Sequence, residues 1–168
     1  MIFQIAIPKR AATCAHGGEL ITPGMEYYSV IAAREADGGY DRHDYCPLCW
    51  QQLSKREERS SSWKSSVPLK KAVSELPKKR DDRALYLLKE ALSSTAADEL
   101  VKEEAFVLSL YLARRRLIFF RQELKRNNQP VLLYEVAETE EMLCVPKVEL
   151  SQLKMDTLQV DLAKKFQH

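Results

Sequence analysis

"RHDYCPLCWQQL", residues 42–53, sets Cys46 and Cys49 two residues apart, between a strand-like run and a helix-like run. Such a pair is a metal clamp, a redox couple or two buried thiols, and the choice fixes the architecture around it. Zinc takes thiolate or imidazole donors at the corners of a tetrahedron, and two cysteines with this spacing can fill adjacent corners. The remaining corners need donors from elsewhere in the chain. Upstream, "TCAHGGELITPG" (13–24) carries Cys14 and His16, followed by Gly17 and Gly18. Paired glycines accept backbone angles closed to other residues and so permit a tight knuckle. The expected ligand set is therefore Cys14, His16, Cys46 and Cys49, with His43, three residues before Cys46, as the alternative fourth ligand. Four protein ligands close a site, and closed zinc sites hold structure instead of activating water.

Between the two candidate ligand pairs, "MEYYSVIAAREA" (25–36) is rich in aromatic and β-branched residues, "DGG" (37–39) is a turn, and "YDRHDY" (40–45) returns. That pattern predicts a β-hairpin. Residues from Trp50 to about Arg59 favour a helix, and "IFQIAI" (2–7) reads as a strand. The order of knuckle, hairpin and Cys pair at a helix start resembles small zinc modules of the treble-clef and zinc-ribbon kind, over residues 1–59. The competing chemistry is thiol–disulfide exchange, because "CPLC" looks like the active-site tetrad of glutaredoxins. That fold, however, begins a βαβ unit, and here a hairpin precedes the pair and helices follow. A Cys/His hydrolase is a further enzyme reading, given how close Cys14 stands to His16 and His43 to Cys46.

Residues 60–80, "SSSWKSSVPLKKAVSELPKKR", are Ser-rich and basic, with Pro68 and Pro77. They read as an extended connector anchored through Trp63 and Val67. Residues 81–168 read as a helical block. Asp81 or Asp82 caps a helix bearing Leu85, Leu88 and Leu92, and Thr95 or a neighbour caps a longer helix reaching Asn127. Its expected core stripe is Phe106, Leu110, Ala113, Leu117, Phe120 and Leu124, while Leu108, Leu112 and Phe119 fall on the opposite side. A helix apolar on two sides needs two covers, from the preceding helix and the C-terminal segment or from a second copy of the chain. "VLLYEVA" (131–137) and "MLCV" (142–145) form a C-terminal hairpin, with Cys144 in the core. A last helix presents Met155, Leu158, Leu162 and Phe166.

The totals set bounds. The 168 residues, 45% hydrophobic and 30% charged, describe a globular chain of α+β class and not a disordered one. The net charge of +2 does not by itself call for a polyanion. Basic residues are nonetheless gathered locally: residues 51–80 hold nine basic and three acidic side chains. Lys78, Lys79 and Arg80 form one candidate nucleic-acid patch, and Arg114, Arg121 and Lys125, sharing a face if the long helix forms, make a second. No apolar run reaches the roughly 18 residues that span a bilayer. The opening "MIFQIAIPKR" lacks the basic start of a secretory signal, so a reducing cytoplasm and unpaired thiols are expected.

Taken along the chain, Cys14, Gly18, Leu20, Gly24, Asp44, Tyr45, Trp50, Trp63, Val67, Pro68, Leu110, Arg114, Arg116 and Leu117 form one spaced pattern. It resembles an uncharacterised family of small bacterial proteins with a treble-clef-like N-terminal module. The resemblance carries no activity with it. The expected function is a cytoplasmic, non-catalytic module stabilised by structural zinc. Its expected partner is a protein, or failing that a nucleic acid, and the chain acts as a monomer or homodimer.

Overall fold

The computed structural model describes residues 6–53, 61–69, 79–94 and 98–167. They fall into two compact units, one holding the described residues of Ile5–Ser74 with Ala137–Met142, the other those of Glu75–Val136 with Leu143–His168. The fold is mixed α+β, with two small antiparallel sheets and four helices among the described residues.

In the first unit, strands β1 (Glu26–Ala33) and β2 (Tyr40–Tyr45) form the expected hairpin, with Tyr28 opposite Tyr45 and Ser29 opposite Asp44. Helix α1 (Pro47–Gln52) follows at once. Pro47 suits the first helical position, where an N–H has no intrahelical acceptor. Strand β3 (Ser62–Ser66) then adds to the free edge of β1, giving the order β2-β1-β3. The start of the presumed connector is thus a strand of this sheet, and Trp63 and Val67 are buried as its anchors. Of the expected opening strand, residues 6 and 7 are not in a strand and residues 2–5 lie outside the described residues. So do residues 54–59 of the expected first helix and residues 60 and 70–78 of the connector.

One face of this sheet carries Tyr28, Val30 and Tyr45. Trp50 of α1 stacks on Tyr28 with ring centroids 4.9 Å apart and planes 4° from parallel. The other face buries a charge. Arg42 and Asp44 have fully covered side chains and pair at 3.0 Å. The Asp44 carboxylate also accepts from the Ser29 hydroxyl and, at 2.8 Å, from the Ala11 backbone N–H. The Arg42 guanidinium lies 5.2 Å from the centre of the Trp63 ring. Buried charges persist only when paired and hydrogen-bonded in this way.

In the second unit, α2 (Lys79–Ser93) and α3 (Glu99–Arg114) pack together through Ala84, Leu87, Leu88, Leu108 and Leu112. Asp81 lies in the first turn of α2 and accepts from the Tyr111 hydroxyl at 2.8 Å and the Arg115 guanidinium at 2.7 Å. The cap of α3 is Asp98, whose side chain accepts from the Leu100 N–H; Thr95 lies outside the described residues.

The long helix expected to reach Asn127 stops at Arg114. Leu117 N–H returns to the Leu112 carbonyl and Arg116 N–H to Ala113, with Arg116 at φ 60. This is a Schellman ending, with arginine in the left-handed position that glycine usually takes. Strand β4 (Ile118–Arg126) follows and pairs with β5 (Gln129–Val136) across Asn127 and Asn128, at φ 48 and 61. Two successive positive-φ residues are the mark of a tight two-residue hairpin turn. Strand β6 (Met142–Pro146) completes the order β4-β5-β6. The expected core stripe accordingly holds only in part: Phe106 and Leu124 are buried, but Leu110 and Phe120 are 42% and 52% exposed, and Leu108 and Leu112 from the other side are buried. Helix α4 (Met155–Gln167) begins after a separate 3-10 turn, Leu150–Gln152, which contains Ser151, the residue that reads in the sequence as its cap. It packs Leu158, Leu162 and Phe166 onto the core, with Met155 exposed. No helix among the described residues is long and apolar enough to cross a membrane.

Candidate metal centre

Cys14 opens a knuckle closed by backbone hydrogen bonds from Cys14 N–H to the Glu19 carbonyl and from Gly18 N–H to the Cys14 carbonyl. A bridge between Thr13 and Leu20 seals it. Gly18 takes φ +75, the left-handed turn that this tight return requires. At Gly17 a Cβ would meet the Glu19 carboxylate and displace it from its place among the sulfurs. The knuckle is tied to β2 by the Ala15 N–H, which donates to the Asp44 carbonyl at 2.8 Å. Two residues after Asp44, Cys46 occupies the N-cap of α1, and its sulfur accepts from Cys49 N–H at 3.4 Å. Cys46 N–H in turn donates to the Cys14 sulfur at 3.4 Å. Backbone donors thus point at two of the three sulfurs.

The result is a group of four donors, Cys14, Glu19, Cys46 and Cys49, whose ligand atoms all lie within 4.8 Å of one another. The three cysteines are buried and form no disulfide. The Glu19 Oε2 sits 3.9 Å from the Cys46 sulfur and 3.8 Å from that of Cys49. A tetrahedral zinc with ordinary bond lengths would have sulfur–oxygen edges of about 3.6 Å and sulfur–sulfur edges of about 3.8 Å. The donor set therefore has nearly the size of a coordination shell, and its soft, thiolate-rich character suits zinc over magnesium or calcium.

The thiols differ in acidity. Burial would raise Cys14, but hydrogen bonds from the Gly17, Cys46 and His16 backbones and from the Cys49 thiol bring it down to about 7. Cys49 moves the other way, to about 12, through its hydrogen bond with Cys46, burial and the neighbouring Cys14. One thiol of the group is thus drawn toward the charged form while another holds its proton. A cation at the centre would supply the charge that lets all three ionise. Cys144 lies apart in β6, buried, its thiol also raised to about 12 by desolvation.

Three of the four sequence-predicted ligands are brought together. His16 and His43 are exposed and stand outside the donor group, and Glu19 joins it. The signal for Glu19 was present: a double glycine after Cys14 reverses the chain, so the next side chain points back at the cysteine.

The basic candidates are dispersed. Arg114 ends α3, whereas Arg121 and Lys125 lie on β4, so the three share no helix face. Arg121 pairs with Glu135 at 3.3 Å, and the Arg80 guanidinium lies 5.5 Å from the centre of the Phe166 ring. Lys79 is the first residue of α2, and Lys78 lies outside the described residues. Comparison of the chain with protein-family models, curated proteins and solved structures returned no match.

Proposed function

We propose that the first unit is a treble-clef-like module built on structural zinc, held by Cys14, Glu19, Cys46 and Cys49, and that its role is non-catalytic binding of a protein partner. The observation that carries this reading is the convergence of three buried sulfurs and one carboxylate oxygen within 4.8 Å. The sheet of this unit is only three strands wide, and a bound ion contributing on the order of 10 kcal/mol would secure what so small a core cannot. Leu20 and Leu48, 67% and 72% exposed, stand beside the ligands Glu19 and Cys49 and offer apolar contact to a partner. Purified protein is expected to carry about one zinc per chain, and Cys46→Ser to lose it. A fully folded chain with no bound metal after expression in zinc-sufficient medium would set the reading aside.

Thiol–disulfide chemistry is the second reading, favoured by one observation: Cys14 is drawn down to about 7 within a group of three sulfurs. It predicts a disulfide that forms and reduces reversibly at a defined potential. The zinc reading accounts in addition for the carboxylate among the sulfurs, which a dithiol couple does not use.

A further inference from the structure

The four donors are not equivalent. Cys14, Cys46 and Cys49 are 3%, 3% and 6% exposed, set in the knuckle, the helix cap and the helix, whereas Glu19 is exposed. Among the described side chains, the Glu19 carboxylate meets the Cys46 and Cys49 thiols at 3.9 and 3.8 Å and forms no ion pair. Its backbone is held by the Cys14 N–H at 2.8 Å, so the freedom belongs to the Glu19 side chain alone. Three soft donors are therefore fixed and buried, and the fourth is a hard oxygen on the solvent side. Zinc and its analogues prefer thiolate to carboxylate where a thiolate can reach them.

We infer that Glu19 is an exchangeable ligand and that the solvent-side corner of this site binds an external thiolate. The inference rests on the zinc reading above. In the exchange, the bond from the metal to the Glu19 oxygen breaks and a bond to the incoming sulfur forms. The thiol proton leaves to solvent, and no electron is transferred. Two sources share this chemistry, a small hydrophilic thiol and a cysteine of a partner chain. The exposed Leu20 follows Glu19 in the chain, and the exposed Leu48 precedes Cys49. Two apolar side chains next to the ligands favour a cysteine set between apolar residues.

The test uses the full chain loaded with one cobalt(II) and titrated separately with glutathione and with a Leu-Cys-Leu peptide. Thiolate-to-cobalt absorption should rise saturably by about one third as three thiolates become four, with cobalt retained. Glu19→Cys should show the four-thiolate spectrum from the start and ignore both additions. Saturation by the peptide at a concentration at least about tenfold lower, lost in Leu48→Ser, assigns a partner cysteine; equal midpoints assign a small thiol. A cobalt spectrum unmoved by either thiol overturns the exchange and leaves the metal site standing. Extraction of cobalt by the thiols overturns it as well. Failure to bind cobalt at all removes the zinc reading together with the inference.

Discussion

Replacing Asp44 with alanine removes the acceptor at the centre of the first unit's buried polar face. Three donors lose their partner: the Arg42 guanidinium at 3.0 Å, the Ser29 hydroxyl, and the Ala11 N–H at 2.8 Å. Arg42 is fully covered, so its charge remains buried without a counter-ion. Breaking a buried pair from one side costs about 3–5 kcal/mol, because desolvation has already been incurred and the attraction is gone. At a urea sensitivity of about 1–1.5 kcal/mol per molar for so small a unit, the midpoint should fall by about 2–5 M. Tryptophan fluorescence is the suitable probe, since the chain has 2 tryptophans and both, Trp50 and Trp63, lie in this unit. The double variant Arg42→Met, Asp44→Leu separates the charge from the shape. It should recover to within about 2 kcal/mol of the parent, because apolar replacement of a whole buried pair is far milder than removing one partner. A loss below about 1 kcal/mol for Asp44→Ala, or a double variant as unstable as the sum of the singles, would refute the reasoning.

The knuckle makes a sharper demand than its size suggests. Gly17→Ala forces the Glu19 carboxylate away from the sulfurs, and zinc affinity should drop roughly 10- to 100-fold in a competitive chelator titration; unchanged affinity would detach Glu19 from the metal. In metal-free protein the alkylation rate of Cys14 should climb with pH through about 7, whereas Cys49 and Cys144, both near 12, stay protonated and slow. The sign follows from the thiolate being the nucleophile, and a Cys14 midpoint near the ordinary 9 would contradict the effect of its backbone donors. In the second unit, Arg116→Gly should stabilise by about 1 kcal/mol, read by circular dichroism during urea unfolding, because Arg116 holds φ 60 at the end of α3; a loss would mean its side chain matters more than its backbone.

What could be read from the chain divides along physical lines. The β1–β2 hairpin was legible because its alternation is bounded by a glycine turn, and the cysteine pair because its spacing states its geometry. Glu19 stands outside a pattern of Cys and His alone, although Gly17 and Gly18 already return the chain toward Cys14 and bring its carboxylate to the sulfurs. The end of α3 was missed for a subtler reason. Leu117, Phe120 and Leu124 continue the helical spacing of Phe106, Leu110 and Ala113, yet they lie beyond the helix. A bulge between Phe120 and Gln122 disturbs the strict alternation of β4, which erased the period of two that would have shown a strand. Two local signals were there to correct it: the β-prone run Leu117–Phe120, and Asn127-Asn128, residues that tolerate the left-handed turn. The long apolar period outweighed them.

X-ray absorption at the zinc edge of the purified, reduced protein addresses the ligand set itself. Three sulfurs at about 2.3 Å and one light-atom donor at about 2.0 Å, without the outer-shell scattering of an imidazole ring, are expected for coordination by Cys14, Cys46, Cys49 and Glu19. A shell containing imidazole would return the fourth position to His16 or His43, and a shell with fewer than three sulfurs would contradict the convergence on which the module is built.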